Sequence, residues 1–453
     1  MLSVADHRSR ILADVAPLEP VDLPLRAARG LVVAEPVLSA VDLPGFDNSA
    51  MDGYAVRAAD VAEATPERPV SLPVVGDLPA GARTPTSVGA GRAFRIMTGA
   101  PVPEGADTII QVEHTDGGAD VVQVQHGAEP GRHIRRAGED VRRGDEVLQA
   151  GSVLGVRELT LVAASGCGRV RAHPRPKVLV MSTGDELVEV GRVPGFGEVV
   201  DSNGAMLEAL LDAYGYESVR LTGVHDTTEA VLAALAEGAA AGADAVISTG
   251  GVSMGVYDAV KAALTDRGVR FDKIAMMPGK PQGFGVIELA GPAGAQQAAA
   301  EQAGARVPVF TLPGNPVSAY VSFHVFVLPA LQRMSGAEPT GLPLVRVRVE
   351  GAVPARRERT QYQRARLRET DDGWVASVVS GQGSHMLAGL AEADGLLIVP
   401  ATSDTDDEPG LDGERRFDCL VFIDGAVTPA QFSGLDGGER RERAVVTTSG
   451  GDA

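Results

Sequence analysis

The sequence predicts an α/β protein of several domains: a parallel α/β unit, an inserted β lobe, an extended N-terminal linker segment and a small C-terminal β-barrel. Three observations carry that prediction. A chain of 453 residues is too long for one core, because domains usually hold about 100–200 residues. Residues 177–332 alternate short, β-branched, nearly unbroken apolar runs with helical patterns that end on glycine, the rhythm of strands covered on both faces. Residues 45–140 and 341–429 break instead into short runs between Gly, Pro and Asp clusters, the texture of β structure with tight turns.

In chain order, residues 3–15 read as a short helix capped by Ser3, and "GLVVAEPV" reads as a strand. The β lobe holds "VSLPVVG", "AFRIMTG", "DTIIQVE" and "VVQVQ". A helical piece, "VRELTLVAASG", leads to "HPRP", a boundary. The strands of the α/β unit are "KVLVMST", "SVRLTGV", "DAVIST" and "VPVFTL". Its helices are "SNGAMLEALLDAYG", capped by Ser202 or Asn203 and closing on Gly215, "TTEAVLAALAEGAAAG", closing on Gly242, and "YDAVKAALTDRG", closing on Gly268. The low-complexity stretch 290–306 predicts a disordered loop or frayed helix. Five further runs, "LVRVRVEG", "QYQRARL", "WVASVV", "GLLIVP" and "CLVFIDG", predict the barrel, and the polar, Gly-rich residues beyond 430 predict an unstructured tail.

Composition narrows the function. A net charge of −19 argues against a nucleic-acid partner, which wants a basic face. Two cysteines, Cys167 and Cys419, exclude a disulfide scaffold and a thiolate metal cage. The N-terminus lacks the apolar stretch of a signal peptide, and "VSAYVSFHVFVLPALQRM" is interrupted by His324 and Pro329 before reaching the roughly 20 residues a bilayer demands. The expectation is a cytoplasmic protein with no membrane contact. Of 41 basic residues only Lys177, Lys261, Lys273 and Lys280 are lysines.

The unusual residues sit where strands of the α/β unit end. "VMSTGDEL" supplies Thr183, Gly184, Asp185 and Glu186; "GVHD" supplies Asp226; "ISTGGVSMGVYD" supplies Thr249, Gly250, Gly251, Ser253, Gly255 and Asp258. "MMPGKP" supplies Gly279, Lys280 and Pro281, and "TLPGNPVS" supplies Gly314, Asn315 and Ser318. In open α/β sheets ligands bind beyond the carboxyl ends of strands, and glycines there turn N–H groups toward anions. Glu186, Asp226 and Asp258 would repel an anion unless a hard divalent cation lay between, which suits Mg²⁺. Lys280 supplies a compact positive charge. Taken singly, "TGGVS" is an ordinary turn and Asp226 or Asp258 an ordinary helix cap; His114 and His225 lack partners at metal-ligand spacing. A second polar cluster, "FDNSAMDGYA", surrounds two apolar anchors, Phe46 and Met51.

"DNSAMDGYA", "RIMTGAPVPEGADTIIQVE", "STGDEL", "STGGVSMGVYD", "PGKP" and "LPGNPVS", in this order, resemble the MoeA-type molybdopterin molybdenumtransferases, whose eukaryotic relatives include the gephyrin E domain. The resemblance spans residues 3–428. It implies a homodimer of four-domain subunits: a discontinuous linker and dimerisation domain (1–44 and 141–172), an inserted β lobe (45–140), a molybdopterin-binding α/β domain (173–335) and a C-terminal β-barrel (340–430), with a disordered tail at 431–453. The implied reaction takes adenylylated molybdopterin and molybdate, places molybdenum on the dithiolene sulfurs and releases AMP with Mg²⁺. By the same resemblance Thr249, Gly250, Gly251, Ser253, Gly255, Gly314 and Asn315, with Thr183, Gly184, Asp201, Ser202, Asn203 and Pro281, hold the pterin and phosphate. Glu186, Asp226 and Asp258 serve Mg²⁺, and Lys280, Ser318, Arg364 and Ser384 line the molybdate pocket. Asp52, with Thr98 and Asp140 of the same lobe wall, would reach the partner subunit's α/β site. Met277 departs from the family, many of whose members carry Lys or Gln there.

Two competing readings are a molybdopterin adenylyltransferase and a non-catalytic molybdopterin-binding scaffold. The first resembles only residues 177–332, and the second could dispense with the acids that this chain has. The preceding adenylyltransferase and molybdoenzyme apoproteins are the protein partners that the resemblance implies.

Overall fold

A computed structural model describes residues 1–251, 259–289, 306–351, 353, 358–401 and 416–422. Ser253, Gly255 and Asp258, most of the low-complexity stretch and the C-terminal tail lie outside the described residues. The chain divides into two compact units, one comprising Met1–Glu19 and everything from His173 onward, the other Pro20–Ala172.

Within Pro20–Ala172 a five-stranded sheet forms from β1 (Gly53–Val56), β2 (Val70–Leu78), β3 (Ala93–Ile96), β4 (Thr108–Gln111) and β5 (Val121–Val124), in the order β4-β1-β3-β2-β5. Alternation along β1 sends Tyr54 and Val56 into one core with Leu72, Ile110 and Val122, and Ala55 into another with Leu78, Ile96 and Ile109. At Gly53 a Cβ would stand 1.9 Å from the Ile110 carbonyl oxygen, so only glycine lets β1 lie against β4 there. The stretch "GLVVAEPV" is not one strand. It makes two short ones, Val32–Val33 and Val37–Leu38, separated by Pro36, which has no N–H to give a ladder. Phe46, expected as an anchor, is 49% exposed.

The other unit opens with α1 (Val4–Asp14), where Ser3 Oγ accepts from the Asp6 N–H at 3.0 Å, as expected of a cap. α1 buries His7 and Ile11. The central sheet consists of β6 (Val178–Thr183), β7 (Ser218–Val224), β8 (Ala245–Thr249), β9 (Arg270–Lys273), β10 (Pro281–Glu288) and β11 (Arg306–Leu312), in the order β7-β6-β8-β11-β10-β9. β7, β6, β8 and β11 are parallel, as their apolar runs predict, while β10 runs antiparallel to both of its neighbours, β11 and β9, and makes the sheet mixed. Even residues of β6 and odd residues of β8 (Val178, Val180, Ala245, Ile247) face a core that includes Ile11 of α1, and the alternate residues (Leu179, Met181, Val246) face a second core. The first is closed by α2 (Ser202–Ala213) and α3 (Pro316–Ser322), the second by Thr228–Ala240 and Ala259–Leu264.

The expected cap of α2, Ser202 or Asn203, is corrected to the preceding Asp201. Asp201 is the N-cap, its Oδ1 accepting from the Gly204 N–H at 2.9 Å, and Ser202 and Asn203 lie inside the helix. The carboxylate wins because Arg220 also lies 3.6 Å from its other oxygen. Gly215 follows α2 with φ 77°, a left-handed residue that closes the helix as read.

C-terminal to this, β12 (Leu344–Glu350), β13 (Thr360–Thr370), β14 (Gly373–Val378), β15 (Gly395–Val399) and β16 (Arg416–Val421) pair in the ring β13-β14-β12-β16-β15-β13, a closed barrel. Val345, Val347 and Val349 fill its interior while their neighbours along β12 point out. The segment Met276–Met277 adds to β13 in parallel, opposite Thr360 and Gln361, and joins barrel to α/β sheet. No helix among the described residues is long and apolar enough to cross a membrane.

The mixed part of the sheet depends on two glycines of β10. At Gly283 a Cβ would stand 1.8 Å from Thr311 Oγ1 and 2.8 Å from the Phe271 ring. Gly283→Ala is therefore expected to lower stability by about 1–3 kcal/mol, as overpacking does. A urea midpoint equal to that of the wild type would contradict this packing.

Candidate functional site

All the strand ends singled out by the sequence share one rim of the six-stranded sheet. β6, β7, β8 and β11 finish there at Thr183, Val224, Thr249 and Leu312. β10 is antiparallel, with Gly283 opposite Thr311, so its first residue, Pro281, and the preceding Lys280 lie at the same rim. The chain passes from β6 outward to β7 and returns on the other side of β6 to β8, which makes the β6/β8 ends the topological switch point where such sheets bind ligands.

Backbone contact at that point is close. Thr183 Oγ1 donates to the Thr249 carbonyl at 3.4 Å, and Thr249 Oγ1 to Ser182 Oγ at 3.2 Å. Gly250 and Gly251 have φ of 88° and 68°, a region that side chains disfavour. A Cβ on Gly250 would stand 2.7 Å from the Thr183 oxygen, and one on Gly314 would be 3.7 Å from Gly250 Cα, so these glycines bring three loops together. Asn203 Nδ2 donates to the Gly314 carbonyl at 2.7 Å, leaving its buried Oδ1 without a hydrogen-bond partner. Asn315 is the N-cap of α3, with its side chain not used in capping.

The rim is divided by charge. On the β7/β6 side stand Asp185, Glu186 and Asp226. His225 Nδ1 bonds Asp185 Oδ1 at 2.7 Å and holds that carboxyl below its usual range. Asp226 is exposed, yet partial desolvation first, then the neighbouring charges of Glu186 and Asp185, pushes its carboxyl upward. Thr227, not Asp226, caps the following helix, through a 3.2 Å bond from the Ala230 N–H. Asp226 is thereby left free of the capping role open to it in the sequence. Two crowded carboxylates offer hard oxygen donors that suit Mg²⁺, which is held by one or two carboxylates together with phosphate oxygens.

A lysine stands at the β10 end, and a buried arginine lies under the barrel loop that meets α3. Lys280 is half-buried, its carbonyl accepting from the Ile274 N–H at 2.7 Å, and no carboxylate among the described residues pairs with it. Arg364, on β13, is 1% exposed. Its guanidinium donates to the carbonyls of Gly381, Met386 and Gly383, the last at 3.2 Å, while Nε has no partner. Burial depresses its pKa, and no carboxylate among the described residues neutralises it. A buried cation without a counter-charge is strongly disfavoured, and an anion would relieve it. Ser318 is buried on α3, and the Ser384 carbonyl accepts from the Val317 N–H at 3.2 Å, so the barrel loop touches the start of that helix.

Asp52, Thr98 and Asp140 belong to the other unit. Asp52 Oδ1 accepts from Thr98 N–H at 2.6 Å and Thr98 Oγ1 at 2.8 Å, and these bonds hold its carboxyl below the usual range. Asp140 is exposed, with its N–H on the Leu43 carbonyl at 3.0 Å. In the same polar cluster Asp47 accepts from Ala137 N–H at 2.8 Å and pairs with Arg136 at 2.6 Å, so it fastens the loop. Sequence reasoning missed Gln382, whose amide touches both backbone groups of Arg364; nothing in "SGQGSHML" marks it.

Comparison with known proteins is consistent along the chain. Residues 2–166 match the MoeA N-terminal region (domain I and II), 179–333 the probable molybdopterin binding domain, and 346–405 the MoeA C-terminal region (domain IV). The chain is 41% identical over 409 residues to molybdopterin molybdenumtransferase 2 of Mycobacterium tuberculosis, covering 88% of this chain and 96% of that protein. It is 35% identical over 381 residues to the molybdopterin molybdenumtransferase of a Nostoc species, covering 83% and 84%. Among solved structures, the molybdopterin biosynthesis MoeA protein of Pyrococcus horikoshii superposes with a TM-score of 0.75 at 29% identity, over 93% of this chain and 99% of that one.

Because the folded state raises the Asp226 pKa, the stability tied to its protonated form is full below the unfolded pKa and is lost as pH rises through the folded one. Asp226→Asn should therefore melt slightly higher than the metal-free wild type at pH 7, the gap being small because solvent screens this exposed carboxyl and closing as the pH falls into the carboxylate range. Thermal melts at both pH values check this; a variant less stable at pH 7 would contradict it. Gly250→Ala, forced to place a Cβ at positive φ against Thr183, should lose about 1–3 kcal/mol of stability, read from its denaturant midpoint.

Proposed function

The chain belongs to the MoeA family, and on that footing we propose that it is a molybdopterin molybdenumtransferase, which inserts molybdate into adenylylated molybdopterin and releases AMP. The charge-divided rim is the observation that carries this reading. A substrate with a phosphate-linked nucleotide at one end and a dithiolene awaiting an oxyanion at the other needs two such subsites, and a single sheet edge offers both. The left-handed turn at Gly250 and Gly251, with Gly314, Asn203 and Asn315 beside it, brings backbone and amide groups to the pterin phosphate. Thr183, Gly184, Thr249 and Pro281 complete its walls. Asp201 and Ser202 act through the start of α2 and not by contact, since Asp201 is 2% exposed and committed to the cap.

Glu186 and Asp226, with Asp258, would hold Mg²⁺ against the pyrophosphate, where the ion would supply charge neutralisation between acids and phosphate oxygens. Lys280, Ser318, Arg364 and Ser384 would receive molybdate, as substrate, on the positive side. Point charge from Lys280 and the unneutralised guanidinium of Arg364 favour a dianion there. The protein would act as a cytoplasmic homodimer, with Asp52, kept ionised by Thr98, and Asp140 serving the partner's site.

Incubation of the purified protein with adenylylated molybdopterin, molybdate and Mg²⁺ should yield AMP. Lys280→Ala should fold and lose about 10²–10³-fold in that rate, as removal of one preorganised oxyanion contact does. Wild-type turnover in this variant would overturn the assignment. Formation of adenylylated pterin from ATP without molybdate would instead favour an adenylyltransferase.

A further inference from the structure

We propose that Gln382 is a positioning residue for the oxyanion pocket: its side-chain amide is inserted in the β13–β14 ladder and so fixes the loop that carries Ser384 over Arg364. This rests on the molybdate reading of that pocket given above. In the antiparallel pairing of β13 with β14, Ala365 lies opposite Val378, and the next pair outward is Arg364 with Val379. Val379 N–H donates to the Arg364 carbonyl at 2.9 Å, as the ladder requires. The reciprocal bond is replaced. Arg364 N–H donates to Gln382 Oε1 at 3.0 Å, and Gln382 Nε2 donates to the Val379 carbonyl at 2.7 Å and to the Arg364 carbonyl at 3.1 Å.

One planar amide thus stands where a direct strand-to-strand bond would be. The strand is released from the ladder at Val379, and the chain folds across the Arg364 guanidinium, which holds it through the carbonyls of Gly381, Gly383 and Met386. From there the Ser384 carbonyl takes the Val317 N–H, one residue before Ser318. Three of the five Arg364 N–H groups, one on Nη1 and both on Nη2, hold this loop, so the aim of Nε and the placing of Ser384 both follow from where Gln382 sets the turn. Bridging needs a donor and an acceptor on one rigid group. Glutamate at neutral pH would present only acceptors to two carbonyl oxygens, and alanine would present nothing.

The test compares the wild type, Gln382→Ala and Gln382→Glu by molybdate calorimetry and by steady-state AMP release. Molybdate affinity and its KM should weaken about 10–100-fold in Gln382→Ala, the range for loss of a group that orients a binding residue. The KM for adenylylated molybdopterin should stay at its wild-type value. Gln382→Glu should be as impaired at neutral pH and recover as the pH falls, because a protonated carboxyl regains an O–H donor. Unchanged molybdate binding in Gln382→Ala, a parallel rise of both KM values, or a glutamate variant that does not recover would each overturn the proposal. A wild type that binds no molybdate would remove the pocket's assignment itself.

Discussion

A close backbone approach at the switch point of one sheet governs the rest of this structure. β6 and β8 end side by side, and the chain leaves β8 through Gly250 at positive φ, with no room for a Cβ beside the Thr183 oxygen. Gly314 of the next parallel strand meets Gly250 in turn. Glycine at position 250 lets the loops converge where a side chain would meet the Thr183 carbonyl. Parallel pairing then aligns every other strand end with that point, and antiparallel β10 delivers Lys280 to it from the opposite direction.

Electrostatics follow from this geometry. Carboxylates collect at the β7/β6 end, where partial desolvation and then Glu186 and Asp185 make Asp226 harder to ionise, while Lys280 stands at the β10 end. Crowded carboxylates favour a hard cation, and a buried guanidinium without a carboxylate favours an anion. On the proposed function, the two ends of opposite sign are the two subsites that a substrate with a phosphate and an oxyanion acceptor would need.

Much of this was legible in the residues. β-branched apolar runs marked the four parallel strands, Ser3 marked its cap, and Gly215 its helix end, because each rests on local chemistry. β9 and β10 were not legible, since Pro281, Gly283 and Gly285 erase the apolar alternation and the strand is justified only by contacts with Phe271 and Thr311. Asp201 displaced Ser202 and Asn203 as cap through Arg220, a residue distant in sequence. Phe46 reads as an anchor from its neighbours but has no core to enter within its own unit. The role of Gln382 is defined wholly by the ladder that it interrupts, and no spacing announces it.

On the proposed function, the positive end of the rim receives molybdate, a metal oxyanion. Crystals soaked with tungstate, a heavy-atom mimic of molybdate, test it most directly through anomalous scattering. One strong peak is expected, bounded by the loops that carry Lys280 and Ser384 and by the Arg364 Nε. A peak among Glu186 and Asp226, or none on this rim under soaking that labels other sites, would contradict it.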